Sequence, residues 1–196
     1  LMLTAGLSSR DDARAAKAVR VMTPICKYRA SRDNIAVATA AMEARGGNGY
    51  IEEWVTARLV RDAHIGVLWE GTSNIIAIDV VRRAVGKSGA GGVLAAHLAQ
   101  QIRESARLPA SFRAVLDRLL QRTFAFAEDV ARRGSDGERH ARLAASALYN
   151  LASAVTMAWE ACRPGLDGRR ALLAGLVVAL TSVCLWMFET GYKIKT

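Results

Sequence analysis

The sequence predicts an all-α protein, a helical bundle with a further C-terminal helical extension, and three observations support this fold class. Apolar residues recur every three or four positions along most of the 196 residues, which is the period of an amphipathic helix. Only three prolines interrupt the chain, and the helix formers alanine, leucine and arginine are abundant. With 52% hydrophobic residues the chain can bury a sizeable core.

The first half of the chain predicts four helices. They are expected at residues 11–27, 31–45, 54–64 and 72–85. Pro24 predicts a kink or a restart, because proline breaks the helical hydrogen-bond ladder. The third and fourth helices are expected to turn the following residues inward: Leu59, Val60, Ala63, Ile75, Ile76, Ile78, Val80 and Val81.

Glycines then predict an internal boundary. Gly86 is expected to end the fourth helix, and residues 87–92 (Lys-Ser-Gly-Ala-Gly-Gly) read as a flexible linker. We therefore predict two units, residues 1–86 and residues 93–196. The second unit is expected to hold helices at 93–107, 109–133, 138–162 and 169–190. The 109–133 helix is expected to turn the following apolar residues, which recur at bundle spacing, inward: Phe112, Val115, Leu116, Leu119, Leu120, Phe124 and Ala127.

The last of these helices has two interpretations. Residues 171–188 carry no charge, a length at the short limit for a bilayer span. Thr181 and Ser182 dilute this run, and amphipathic helices precede it. We therefore expect a buried central helix of the bundle and no membrane span.

Charge and cysteine content narrow the class of protein. The net charge of +9 is spread along the chain without a basic tail, which disfavours a nucleic-acid-binding arm but leaves a folded basic face open. Arginines of the second unit either form such a phosphate-tracking face or cover a solvated bundle surface. Cys26, Cys162 and Cys184 lie far apart and predict reduced, mostly buried thiols in a cytoplasmic protein. The histidines show no metal-ligand spacing, and no signal peptide opens the chain.

One carboxylate lies in an apolar run just before a helix start. Glu70 follows Val-Leu-Trp at residues 67–69 and precedes Gly71 and Thr-Ser-Asn at residues 72–74. Apolar neighbours desolvate a carboxylate and raise its pKa, which suits a base that removes a proton near neutral pH. The alternative is a loop glutamate bound by backbone N–H groups near the helix start.

A glycine-rich segment is the second candidate site. Residues 46–50 (Gly-Gly-Asn-Gly-Tyr) would let backbone N–H groups approach a phosphate. An ordinary helix end followed by a turn explains the same glycines.

Three segments together resemble the C-terminal part of acyl-CoA dehydrogenases. They are residues 46–50, residues 59–63 (Leu-Val-Arg-Asp-Ala) and residues 69–74 (Trp-Glu-Gly-Thr-Ser-Asn). Trp69 and the helical extension are similar to the AidB-like adaptive-response branch of this family. The resemblance implies a flavoprotein of fatty acid metabolism that uses FAD, takes an acyl-CoA substrate and removes hydrogens from its α- and β-carbons.

The resemblance also implies roles for individual residues. Glu70 resembles the base that takes the α-proton, and its backbone N–H would bind the thioester carbonyl. Trp69 and Gly71 would border the substrate. Thr72 and Asn74 match positions that contact the flavin cofactor. Gly46 and Gly47 match a loop that touches the FAD of a neighbouring subunit, which implies a homo-oligomer, either a dimer or a tetramer.

Two residues depart from the family pattern. Glu43 stands where many members carry a glutamine facing the neighbour's FAD, and this anion would repel a diphosphate unless Arg45 compensates. Arg45 itself replaces an apolar residue.

The resemblance leaves two functions open. In the first, this chain is part of an acyl-CoA dehydrogenase that passes electrons to a partner flavoprotein, and these residues alone are inactive because the β-domain that holds the flavin ring is not among them. The alternative is an AidB-like flavoprotein with little dehydrogenase activity and a basic helical face that binds DNA.

Overall fold

The computed structural model describes residues 13–69, 71–163 and 169–189. Within these ranges the chain forms helices and turns without any β-strand, which confirms the all-α prediction. The α-helices are α1 (Ala13–Glu43), α2 (Gly47–Tyr50), α3 (Val55–Ile65), α4 (Ser73–Asp79), α5 (Ala90–Glu104), α6 (Ala110–Arg132), α7 (Ala141–Ala161) and α8 (Arg169–Glu189). A π-helix (Val80–Lys87) continues α4, and a 3-10 helix (Gly134–His140) precedes α7.

The two helices predicted at residues 11–27 and 31–45 are a single helix, α1, which continues through Pro24. Proline in a helix interior costs about 3 kcal/mol because it removes a hydrogen bond and crowds the preceding turn. Val21 and Ile25 are fully buried on either side of it, and Tyr28 follows one turn later. Burial of these side chains against the bundle outweighs the local cost, since each full burial contributes about 1.5–3 kcal/mol.

One continuous apolar core runs from α1 to α8. The predicted inward stripe of α6 is confirmed at Leu116, Leu119 and Phe124, which are buried. The core joins the two predicted units, because α1 and the π-helix pack on α5, α6 and α7. A hydrogen bond of 3.2 Å between the Tyr28 hydroxyl and Ser146 Oγ also crosses this boundary.

The segment predicted as a flexible linker is largely helical, so that prediction is wrong. Gly86 lies inside the π-helix, and α5 already begins at Ala90. Ala90 and Gly91 are buried. A Cβ atom on Gly91 would lie 3.2 Å from Val85 Cγ1, so the two helices pack closely at this point. Gly89 makes the turn between them in the left-handed region, at φ 64°. The division of the chain into two units stays a prediction.

Helix α8 lies at the surface, and its prediction as a buried central helix is wrong. Its small and medium side chains Ala174, Val178 and Thr181 are buried, and the helix packs chiefly on α7. The larger Leu172 and Leu176 are 77% and 61% exposed. Apolar composition alone does not distinguish a central helix from a surface helix with a solvent-exposed apolar face. None of the described helices has the length and apolarity that a membrane crossing requires.

Two further inward predictions are wrong. Leu59 on α3 and Ile75 on α4 are 48% and 60% exposed. Helix α3 packs on α1 and α2, and α4 packs on α1 and α7; Leu59 and Ile75 lie away from these contacts. Ala63 and Ile76, predicted to face the same way, are buried as expected.

Candidate functional site

The candidate base lies in the connection between α3 and α4. Helix α3 ends at Ile65, whose carbonyl oxygen accepts the N–H groups of Leu68 and Trp69 at 2.9 and 3.0 Å. The chain therefore turns tightly immediately before Glu70. Glu70 lies outside the described residues. The rise predicted for the pKa of its carboxyl group therefore stays a prediction. The positions of its two neighbours define where the site begins.

A lysine from α1 holds the backbone on both sides of residue 70. Lys27 Nζ donates a hydrogen bond of 2.8 Å to the carbonyl oxygen of Trp69. A longer contact of 3.4 Å joins it to the carbonyl oxygen of Gly71. Hydrogen bonds from an ionised donor are stronger than neutral ones. The connection is thereby fixed to the long helix of the bundle.

The two residues predicted to border the substrate, Trp69 and Gly71, lie on either side of position 70. Trp69 leaves 62% of its surface exposed. Gly71 adopts φ 103°, a conformation that side chains with a Cβ rarely reach. A Cβ there would also touch Ile76 Cγ1 at 3.4 Å. Glycine at position 71 is therefore explained by the backbone of the turn.

The helix start predicted at residues 72–74 is confirmed. Thr72 precedes α4 in an extended conformation, and its carbonyl oxygen accepts the Ile76 N–H at 3.0 Å. Thr72, Ser73 and Asn74 line a surface cavity of about 430 Å³. The structure thus brings the two predicted flavin-contacting residues, Thr72 and Asn74, to one cavity.

Two arginines that the sequence did not single out for this site share the cavity. Arg32 comes from α1 and Arg142 from the first turn of α7. Arg32 Nη1 donates a hydrogen bond of 3.5 Å to Ser73 Oγ. The lining is therefore rich in hydrogen-bond donors: two guanidinium groups, two hydroxyls and an amide. Such donors fit the oxygen atoms of a diphosphate such as that of FAD.

The glycine loop predicted to touch a neighbour's FAD lies outside this cavity lining. Gly46 adopts φ 57°, and no atom lies within 4 Å of a Cβ built on Gly46 or Gly47. Both residues are exposed, so their backbone is open to a partner.

Arg45 does not compensate for Glu43 by a direct ion pair. Its guanidinium lies over the Trp54 ring, 5.3 Å from the centroid. Within the described ranges no ion pair involves Glu43. Glu43 therefore lies just before the glycine loop without an ion-pair partner among the described residues.

A larger cleft of about 1000 Å³ lies on the side of α1 that faces α4 and the π-helix. Its apolar walls include Val19, Ile75 and Ile78. Its basic side chains are Arg20, Lys27, Arg82, Arg83 and Lys87. Asp79 bridges two of these, with contacts of 3.3 Å to both Arg20 and Arg83. Lys27 therefore connects this cleft to the segment that carries Glu70.

The cysteines were predicted to be reduced and mostly buried, and the structure agrees in part. Cys26 and Cys162 are free and half-buried, and burial raises the pKa of the Cys26 thiol. A raised pKa keeps this thiol protonated and unreactive. The side chain of Cys184 lies outside the described residues.

Residues 1–86 match the family model of the acyl-CoA dehydrogenase C-terminal domain. The first 86 residues of the chain are therefore similar to this family domain. The match contains all seven residues predicted for the site, from Gly46 to Asn74. Lys27 and Arg32 also lie within the matched residues, whereas Arg142 lies beyond them.

Curated acyl-CoA dehydrogenases are also similar to part of this chain. Acyl-CoA dehydrogenase family member 11 of Caenorhabditis elegans is 36% identical over 69 residues, which are 35% of this chain and 11% of the relative. The putative acyl-CoA dehydrogenase AidB of Escherichia coli K12 is 38% identical over 73 residues, 37% of this chain and 14% of the relative. The chain thus spans only a small part of the relatives it matches.

A solved structure extends the likeness beyond the 86 residues that match the family model. The crystal structure of Caenorhabditis elegans ACDH-11 in complex with C11-CoA covers 93% of this chain, with a TM-score of 0.62. The matched region is 31% of that chain, and sequence identity is 20%. The likeness is one of fold, and it takes in most of the helical extension.

Proposed function

We propose that this chain is the C-terminal part of an FAD-dependent acyl-CoA dehydrogenase in which Glu70 removes the α-proton of an acyl-CoA thioester. The main support for this proposal is that Lys27 Nζ donates hydrogen bonds to the carbonyl oxygens of both Trp69 and Gly71. A base must be held within a few tenths of an ångström of its proton, and a backbone fixed on both sides provides this.

The proposed reaction begins at the thioester. The Glu70 carboxylate takes the α-proton, and the electrons of that C–H bond move toward the thioester oxygen. The backbone N–H of Glu70 donates a hydrogen bond to this oxygen as its negative charge grows. Thr72 and Asn74 would hold the FAD, which would supply the acceptor for the hydride that leaves the β-carbon. The product is the α,β-unsaturated acyl-CoA.

Lys27 has a second consequence for the proposed base. The apolar residues before Glu70 would raise the pKa of its carboxyl group, because they desolvate the charged form. A nearby ammonium group acts in the opposite direction, because it favours the carboxylate. We expect the two effects to leave Glu70 ionised at neutral pH and still basic enough to take a proton.

The proposed cofactor site is built from more than one part. Thr72 and Asn74 would contact the flavin cofactor of their own subunit, and Gly46 and Gly47 that of a second copy, so the active protein would be a homo-oligomer. The exposure of both glycines supports this arrangement. The described residues contain no β-structure to enclose the flavin ring, so we expect this chain by itself to be inactive.

The test uses the complete polypeptide that carries these residues. It is titrated without oxygen against acyl-CoAs of different chain length while the flavin absorbance is followed. Glu70→Gln should abolish flavin bleaching while FAD stays bound, because the amide cannot accept the proton. Glu53→Gln, an exposed glutamate before α3, is the matched control and should bleach normally. Normal bleaching in Glu70→Gln would remove this residue from the role.

A second candidate function, an AidB-like protein that binds DNA, draws support from the exposed arginines of the extension. Arg103 and Arg107 are exposed, and neither has an ion-pair partner within the described ranges. DNA binding through such residues must weaken steeply with salt, because bound phosphates release counterions. Fluorescence anisotropy with duplex DNA at several salt concentrations tests this, and an affinity that does not change with salt would refute it.

A further inference from the structure

We propose that Arg32 and Arg142 bind a diphosphate group in the cavity lined by Thr72, Ser73 and Asn74, so that the C-terminal extension supplies part of the ligand site. The inference deepens the proposed function and rests on it for the identity of the ligand. The anion chemistry of the cavity stands on the contacts described below.

Three separate parts of the chain converge on this cavity. Arg32 lies on α1, residues 72–74 open α4, and Arg142 is the second residue of α7. The cavity of about 430 Å³ is large enough for a diphosphate and part of the groups it joins. The extension therefore reaches the region where the flavin-contacting residues are predicted.

The charge of the cavity is positive. Its described lining includes two arginines and no carboxylate. Neither Arg32 nor Arg142 forms an ion pair with any described residue. Nearby arginines differ in this respect, since Arg29 pairs with Asp33 at 2.7 Å and Arg82 with Glu138 at 2.7 Å.

The donor geometry suits a diphosphate better than a single carboxylate. A guanidinium group presents several N–H donors in a planar fork and binds phosphate oxygens in pairs. Ser73 Oγ already orients Arg32 through the 3.5 Å contact. The hydroxyl of Thr72 and the amide of Asn74 add neutral donors beside the two cations.

The remaining lining is apolar and indicates what is attached to the diphosphate. Ile35, Val67 and Leu68 border the same cavity. A ligand that joins a diphosphate to a less polar group would contact both surfaces. FAD and coenzyme A both carry a diphosphate within such a molecule, so the shared chemistry has two sources.

The experiment measures binding by isothermal titration calorimetry with the 196-residue chain. Four ligands are compared: inorganic pyrophosphate, FAD, coenzyme A and riboflavin, which lacks phosphate. Arg32→Gln and Arg142→Gln remove one cation each. Arg118→Gln is the matched control, because Arg118 is an exposed arginine of α6 outside the cavity lining. Thermal unfolding followed by circular dichroism checks that each variant is folded.

We expect pyrophosphate affinity to fall about tenfold in Arg32→Gln and in Arg142→Gln, because each loses one charge-assisted contact. Arg118→Gln should stay within about twofold of the original chain. Arg142→Lys should restore part of the affinity, because it keeps the charge and loses the fork. If the two cavity variants lose affinity for FAD but not for coenzyme A, the site binds the cofactor. If they lose affinity for coenzyme A but not for FAD, the site binds the substrate.

The proposal is overturned if pyrophosphate does not bind the unmodified chain. It is equally overturned if the two cavity variants bind as tightly as Arg118→Gln. Riboflavin affinity should not respond to any of these changes. Glu70 takes no part in this assay, so a failure of the proposed base and a failure of the diphosphate site give separate results.

Discussion

Gly49 should be one of the positions in the glycine loop least tolerant of a side chain, and Gly49→Ala tests how tightly this loop is packed on α1. Gly49 is buried in the short helix α2. A Cβ on it would lie 2.1 Å from the carbonyl oxygen of Met42 and 3.1 Å from the Cβ of Arg45. Backbone atoms of α1 cannot turn aside as a side chain can, so α2 would have to move away.

The magnitude follows from this geometry. Inserting a methyl group into a closely packed site costs about 1–3 kcal/mol, and a clash with a helix backbone belongs at the upper end of that range. For a protein of this size each kcal/mol lowers the unfolding temperature by about 2–4 °C. We therefore expect Gly49→Ala to lower the unfolding temperature by roughly 6–12 °C.

Differential scanning calorimetry of this chain provides the measurement, and Gly47→Ala is its matched control. Gly47 lies in the same short helix, but no atom lies within 4 Å of the position that a Cβ on it would occupy. Alanine there should change the unfolding temperature by less than about 2 °C, since its side chain points into open space. Equal unfolding temperatures for the two variants would refute the close approach of Gly49 to Met42.

Three further changes probe other parts of the molecule. Thr123→Val should raise the unfolding temperature by about 2–4 °C, because the Thr123 hydroxyl is buried without a hydrogen-bond partner among the described residues; Thr181→Val, which loses a 2.9 Å hydrogen bond, should lower it slightly. Burial lowers the pKa of His97 below its ordinary value of 6.5. The unfolded chain therefore binds the proton more readily, and stability should fall as the pH drops below about 6.5. Urea midpoints between pH 7.5 and 5 measure this, and His97→Gln should flatten the slope; an unchanged slope would contradict it. Lys27→Met should speed amide hydrogen exchange in residues 66–72, whereas Lys27→Arg should slow it again.

The helices of the second half could be predicted from sequence because their own periodicity determines them. The inward stripe of α6, with Leu116, Leu119 and Phe124, follows the helical repeat and is buried as expected. The start of α4 after Thr72 was also predictable, because threonine, serine and asparagine favour helix starts. These features depend on neighbours within a few residues.

The errors concern features that depend on distant contacts. Pro24 stays inside α1 because side chains from other helices hold both sides of it. Helix α8 shows its large leucines to solvent because no described helix covers that face. A sequence gives the apolarity of such a residue but not the partner that buries it.

The candidate site likewise combines a local motif with residues that are distant in the sequence. The segment around Glu70 was recognisable as a motif of adjacent residues. Lys27, Arg32 and Arg142 lie far from it in the sequence and have no local signature. Lys27 gives one faint signal, since it lies between the half-buried Cys26 and the buried Tyr28, where a lysine is unexpected.

The core shared by α1 and α7 affects how the chain is made on the ribosome. Tyr28 meets Ser146 across 118 positions of sequence. At about 5–20 residues per second, translation takes roughly 6–24 s to reach the partner of a residue that has already emerged. During that interval the part of α1 that packs on α7 is exposed. We expect the nascent chain to need a holding chaperone at this stage, and α1 to finish packing only after α7 has been synthesised.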